Sequence, residues 1–111
     1  MQRMLDVDEP CRLTPVEPST VVEGDPYAGS RALAAVAGAE VGVWEMTSGT
    51  ATDVEVDEVF VVLSGSATVE FEDGTVLELG PCSTVRLRAG DRTTWTVRET
   101  LRKLYFTGME P

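Results

Sequence analysis

Glu58 opens an apolar run, Glu58-Val59-Phe60-Val61-Val62-Leu63, that ends at Ser64-Gly65. A carboxylate in this setting has three uses: it moves a proton, it accepts hydrogen bonds from a ligand, or it anchors an ion pair. Side chains two apart on a strand share a face, so Glu58, Phe60 and Val62 point one way and Val59, Val61 and Leu63 the other. The same rule groups Thr93, Trp95 and Val97, and it sets Lys103 and Tyr105 against Arg102, Leu104 and Phe106. An ammonium and a phenol can orient an anionic or carbonyl-bearing ligand. Trp44 and Trp95 can stack on a flat ligand as well as fill a core. Asp53-x-Glu55-x-Asp57 puts three carboxylates on one strand face. Turned inward by a bulge they would form an oxygen-rich site for Ca²⁺, Mg²⁺ or Mn²⁺, and left outward they form a solvated edge.

The chain contains no histidine. Ser83 and Thr93 therefore have no imidazole partner for a hydrolase triad, and Cys82 has no base to activate it. Cys11 and Cys82 form no CxxC pair and are too few for a disulfide scaffold, so both are expected to be reduced.

These residues need a scaffold, and the rest of the chain describes one. At 111 residues the length suits a single domain with one modest core. Nine Lys and Arg against nineteen Asp and Glu leave a net charge of −10, with no basic stripe. Such a surface repels phosphate backbones, so no nucleic-acid partner is expected. No apolar run reaches the ~20 residues of a membrane helix, and Met1 to Asp6 lacks the apolar core of a signal peptide. No membrane association and a cytoplasmic location are expected.

Residues 1–30 carry Pro10, Pro15, Pro18, Pro26, Gly24 and Gly29. They read as an arm, with short edge strands such as Thr20-Val21-Val22, that wraps the domain or a neighbouring subunit. Residues 31–39 are alanine-rich, and helix and strand compete there. From Val41 onward the pattern is all-β. Strands are expected at 41–46, 53–63, 67–72, 75–79, 84–88, 93–97 and 101–106. Ser64-Gly65 and Arg98-Glu99-Thr100 are expected as breaks between strands, and Asp73-Gly74 as a hairpin turn. Arg86 and Arg88 alternate with Val85 and Leu87 and are expected outside or at a subunit contact. Many short strands punctuated by Gly and Pro indicate a sandwich or barrel.

Several pieces resemble one family in order and spacing. They are Gly42 to Gly49, Asp57 to Gly65, Asp73-Gly74, Arg88-Ala89-Gly90, Trp95-Thr96-Val97 and Arg102 to Tyr105. Together they look like small single-domain cupins related to the cupin domain of ureidoglycine aminohydrolase. The resemblance spans about residues 24 to 108. It implies an antiparallel jelly-roll barrel (a double-stranded β-helix) over 31–111, a strand rather than a helix at 31–39, and a homodimer that covers a sheet edge. It also implies that the Glu58 face looks into the barrel.

Metal-binding cupins carry two histidines before the glutamate of their first motif and one in their second. Aligned on Glu58, Gly65 and Gly90, those positions hold Thr52, Val54 and Thr93, and Cys82 stands where a turn glycine is usual. One carboxylate does not hold a transition metal well, so no metal or other cofactor is expected. The implied pocket has Glu58, Tyr105 and Lys103 as candidate catalytic groups and Trp44, Phe60 and Trp95 as candidate ligand-binding walls. Three functions fit it: binding of a small polar organic molecule, metal-independent isomerisation, dehydration or cyclisation with Glu58 as acid or base, and a non-catalytic accessory scaffold.

Overall fold

The computed structural model describes residues 3–108, so Met1, Gln2 and 109–111 lie outside it. Among the described residues nine strands follow one another: β1 (Thr14–Pro15), β2 (Val21–Glu23), β3 (Tyr27–Val36), β4 (Ala39–Met46), β5 (Gly49–Val54), β6 (Glu58–Phe71), β7 (Val76–Leu79), β8 (Thr84–Leu87) and β9 (Arg92–Gly108). A single 3-10 turn, Pro18–Thr20, precedes β2. All pairings are antiparallel. Residues 31–36 of the alanine-rich segment are strand, the end of β3, as the resemblance implied, because β-pairing with β4 outweighs alanine's helical preference; Ala37-Gly38 turn the chain at positive φ and Ala39 begins β4.

Two long strands organise the molecule. The first half of β9 pairs with β5 on one side and the end of β6 on the other. Its second half pairs with β4 and with the start of β6. Two sheets, β3-β4-β9-β6-β8 and β2-β5-β9-β6-β7, thus share the two long strands and fold over one core. This is an all-β jelly-roll barrel, as expected.

The expected breaks at Ser64-Gly65 and 98–100 are not ends of strands. Both strands run through them as bends. The β6–β9 register shifts three times between Val62 and Ala67, and Gly65 takes φ +96° there. The irregularity changes the inward-facing set from Glu58, Phe60 and Val62 to Ala67 and Val69, so both halves of β6 bury one face. Glycine is required at the corner, because a Cβ on Gly65 would lie 2.1 Å from the Thr100 carbonyl oxygen.

The single strand expected over 53–63 is interrupted. β5 ends at Val54, and a loop follows, fastened by Glu55 N–H donating to the Asp91 carbonyl (2.8 Å) and Gly90 N–H to the Glu55 carbonyl (2.9 Å). Asp73-Gly74 forms the expected turn between β6 and β7, with Thr75 N–H donating to Asp73 Oδ1 at 2.9 Å. Arg86 lies outside as expected, 3.4 Å from Asp57.

The core joins Met46, Phe60, Val62, Val69, Leu87, Trp95 and Leu101 from both sheets. Outside β4 and β9, the chain before β1 is tied down by charge-assisted hydrogen bonds. Arg31 donates to the carbonyls of Asp6 (2.8 Å) and Glu9 (2.9 Å). Arg102 donates to Glu45 (2.6 Å) and to the Val7 carbonyl, and Glu45 also accepts from Cys11 N–H. Burial, then the Glu45 charge, pushes the Cys11 thiol up. Both cysteines are free thiols.

Candidate functional site

Strand alternation brings the expected side chains together inside the barrel. Lys103 and Tyr105 on β9 face Glu58 and Phe60 on β6 and Trp44 on β4. Lys103 is 5% exposed. Its Nζ lies 2.7 Å from Glu58 Oε2. Three aromatic rings surround the same ammonium, with centroids at 4.3 Å (Phe60), 4.8 Å (Trp44) and 5.0 Å (Trp95). These distances suit cation–π attraction, which gains strength where water is excluded. The rings also pack on one another, Trp44 to Trp95 at 5.9 Å and Phe60 to Trp95 at 5.8 Å.

A cavity of about 630 Å³ opens over this arrangement. Glu58, Lys103, Tyr105, Trp44 and Trp95 line it, together with Asp53, Glu55 and the arm residues Thr14 to Glu17. Phe60 is fully buried behind Lys103 and Trp95 and does not reach the cavity wall. The arm thus furnishes part of the wall. It can cross β3 closely because Gly29 has no Cβ; one would fall 2.1 Å from the Arg12 carbonyl oxygen.

Tyr105 donates to Glu40 Oε2 at 2.7 Å. Burial, then the Glu40 carboxylate, pushes its pKa up to about 12. Its ring has room because Gly42 stands opposite on β4, where a Cβ would meet the hydroxyl at 2.4 Å. Neither Glu40 nor Gly42 stood out as a site residue in the sequence, although the cross-strand pairing of Gly42 with Tyr105 fixes both neighbours.

The three alternating carboxylates separate. Asp53 lies at the cavity margin with Oδ1 accepting from Val54 N–H. Glu55 turns inward, and its Oε2 accepts from Thr93 Oγ1 (2.6 Å) and Trp95 Nε1 (2.9 Å). Asp57 turns out to Arg86 and Ala89 N–H. The end of β5 at Val54 breaks the alternation that would have aligned them. Partial burial, and then the Glu55 charge, raises the Asp53 pKa. The role of Glu55 as acceptor for Trp95 was missed; a carboxylate near a tryptophan far along the chain leaves no local signal.

The residues do not fit the metal centre of metal-binding cupins. Thr52 and Thr93 offer weak hydroxyl ligands, Val54 offers none, and the Thr93 hydroxyl is committed to Glu55. The Oε2 of Glu58 is already paired with the Lys103 ammonium. No group of three or more His, Cys, Asp or Glu among the described residues is arranged to hold a metal ion.

A double-sheeted antiparallel barrel with an interior cavity ringed by strand residues fits the cupin class. Residues 33–105 match the EutQ-like cupin domain, and the chain belongs to that family. Among solved structures, a protein of unknown function from Pseudomonas syringae pv. tomato aligns with TM-score 0.78 at 23% identity, over 92% of this chain and 46% of that one. The chain thus spans less than half of that protein's length. A putative ethanolamine utilization protein Q from Salmonella typhimurium aligns with TM-score 0.63 at 18% identity (73% of this chain, 68% of that one). The EutQ protein of Clostridium difficile aligns with TM-score 0.65 at 17% identity (75% and 63%). At these identities the likeness is one of fold. No protein of curated function matches the chain significantly.

Proposed function

We propose that this chain is a cupin that binds a small polar organic molecule in its barrel cavity without a metal. The observation that carries the reading is the Lys103–Glu58 pair, 2.7 Å apart in the wall of a cavity of about 630 Å³. Burying two charges is costly and is seldom better than apolar packing. Placed on a cavity wall between Trp44 and Trp95, the pair instead offers a polar ligand both a donor and an acceptor. The kinship to the ureidoglycine aminohydrolase cupin read from the sequence is carried as a fold label only, because Thr52, Val54 and Thr93 stand at its histidine positions.

A second reading has one specific observation in its favour. Glu58, Lys103 and Tyr105 line one cavity together. The Lys103 ammonium would stabilise developing negative charge while Glu58 moves a proton, as isomerisation, dehydration or cyclisation requires.

A screen of neutral, anionic and cationic metabolites, read by the indole N–H resonances of Trp44 and Trp95, tests the first reading. We expect at least one compound to shift both signals saturably in the wild type and to bind at least about tenfold more weakly to Trp44→Ala, read at Trp95. Absence of any binder would remove the reading and leave the accessory scaffold. With a binder in hand, Glu58→Gln separates binding from chemistry: turnover lost with binding retained assigns catalysis.

The same reading includes a homodimer and a cytoplasmic location. Val59 and Phe106, paired on the outer face of β6 and β9, are 39% and 42% exposed and give that face an apolar patch. Two free thiols suit a reducing compartment. No helix among the described residues is long and apolar enough to cross a membrane.

A further inference from the structure

Lys103 is the one cation in the cavity wall among the described residues, and Glu58 already balances it. Glu17, Asp53 and Glu55 line the same cavity and form no ion pair among the described residues. Glu55 is the informative member. It is only 8% exposed. Its Oε2 is taken by Thr93 and Trp95, while its Oε1 receives no hydrogen bond from a described residue. The one sealed side-chain polar atom without a partner among the described residues is Arg31 Nε, so Glu55 Oε1 opens on the cavity it lines. A carboxylate nine-tenths buried, with an open oxygen and no countercharge, is costly unless a donor of positive charge completes it. Asp53 beside it is raised by partial burial and by the Glu55 charge, which marks the same local excess of negative charge.

We propose that the cavity takes an organic cation: a small molecule bearing an ammonium or guanidinium group that donates to Glu55 Oε1 near Asp53, with its carbon body along Trp44 and Trp95. This rests on the ligand-binding reading above and names the charge of the ligand. A bare divalent ion fits poorly, because Ca²⁺ and Mg²⁺ need about six or more oxygens and the described residues assemble no such group. An anion finds the only wall cation already paired and a chain of net charge −10 repelling it.

Four compounds on comparable carbon chains separate these cases: putrescine and agmatine as cations, 1,4-butanediol as the neutral match and succinate as the anion. CaCl₂ alone is the inorganic control. The readout is the Trp95 indole N–H resonance, whose proton is donated to Glu55, assigned by its persistence in Trp44→Phe. Each is titrated to about 20 mM, a range that captures weak millimolar binding. The expected result is a saturable shift with putrescine or agmatine, weakened at least about tenfold in Glu55→Gln, whose amide oxygen can keep the Thr93 and Trp95 bonds. Asp53→Asn, at the cavity margin, should weaken the same titration to a smaller degree. Saturation by succinate, butanediol or Ca²⁺ alone, or a cation shift indifferent to Glu55→Gln, would overturn the inference while leaving a binding cavity. No shift with either cation overturns it too, and the broader metabolite screen then decides the ligand-binding reading separately.

Discussion

At the scale of single residues, Glu58 and Lys103 define each other. Lys103 is 5% exposed and meets one carboxylate and three aromatic rings. Removing either partner strands a buried charge, which costs about 3 kcal/mol, whereas removing both relieves the penalty. Lys103→Met and Glu58→Gln are each expected to lower the urea-unfolding free energy by about 3 kcal/mol, and the double variant to lose clearly less than the sum of the two. Strict additivity at about 6 kcal/mol would show that the two side chains do not stabilise each other. Face-sharing along the strands was legible in the sequence because alternation is a local rule: Glu58 with Phe60, Thr93 with Trp95, and Lys103 with Tyr105 all share a face as expected. Which face met which partner was not legible. That depends on pairings such as Val62 with Lys103, 41 residues apart in the chain, and on the end of β5 at Val54, which turned Glu55 in and Asp57 out.

At the scale of elements, the decisive features are places where the chain bends without ending. Serine and glycine at 64–65 read as a hairpin break, yet β6 continues through a bulge and remains paired to β9. The same residue types serve both outcomes, and long-range pairing chooses between them. Gly65→Ala should destabilise the fold by at least about 2 kcal/mol, since its φ is +96° and a Cβ would collide with the Thr100 carbonyl. Cys82 is the opposite case. It holds φ +74°, a conformation that costs an L-residue about 1 kcal/mol, at the place where the resemblance implies a turn glycine. Cys82→Gly should raise stability by roughly 0.5–1 kcal/mol, part of the relieved strain being offset by the added freedom of the unfolded chain. Thermal and urea unfolding of the two variants check both signs; a destabilised Cys82→Gly would mean the thiol makes contacts that outweigh the strain.

At the scale of the whole molecule, the two faces of the β4-β9-β6 sheet have separate uses. The inner face carries the cavity. The outer face is divided. The segment before β1 is fastened over one part by Arg31, Arg102 and Glu45, while Val59 and Phe106 stay open to solvent on another. The proposed homodimer uses this second part. Sedimentation equilibrium at micromolar concentration is expected to give twice the mass of the chain, and Phe106→Ser with Val59→Ser to give a folded monomer with the wild type's β-sheet circular dichroism. A monomeric wild type, or a dimer indifferent to both substitutions, would send the interface elsewhere.

By itself the sequence determined that the chain is all-β and which side chains share a strand face, because β-propensity, turn chemistry and period-two alternation are local properties of neighbouring residues. It also determined that no histidine-based metal centre or catalytic triad exists here, since that follows from composition alone. The tertiary structure alone decided that Lys103 neutralises Glu58, that Phe60 supports the cavity wall from behind, and that Glu55 faces the cavity with one oxygen unmet. Those outcomes come from β6 and β9 bending together across both sheets, and from a loop after Val54 that reverses the expected alternation. Interactions between residues dozens of positions apart are set by register, and register is a property of the closed barrel rather than of any segment.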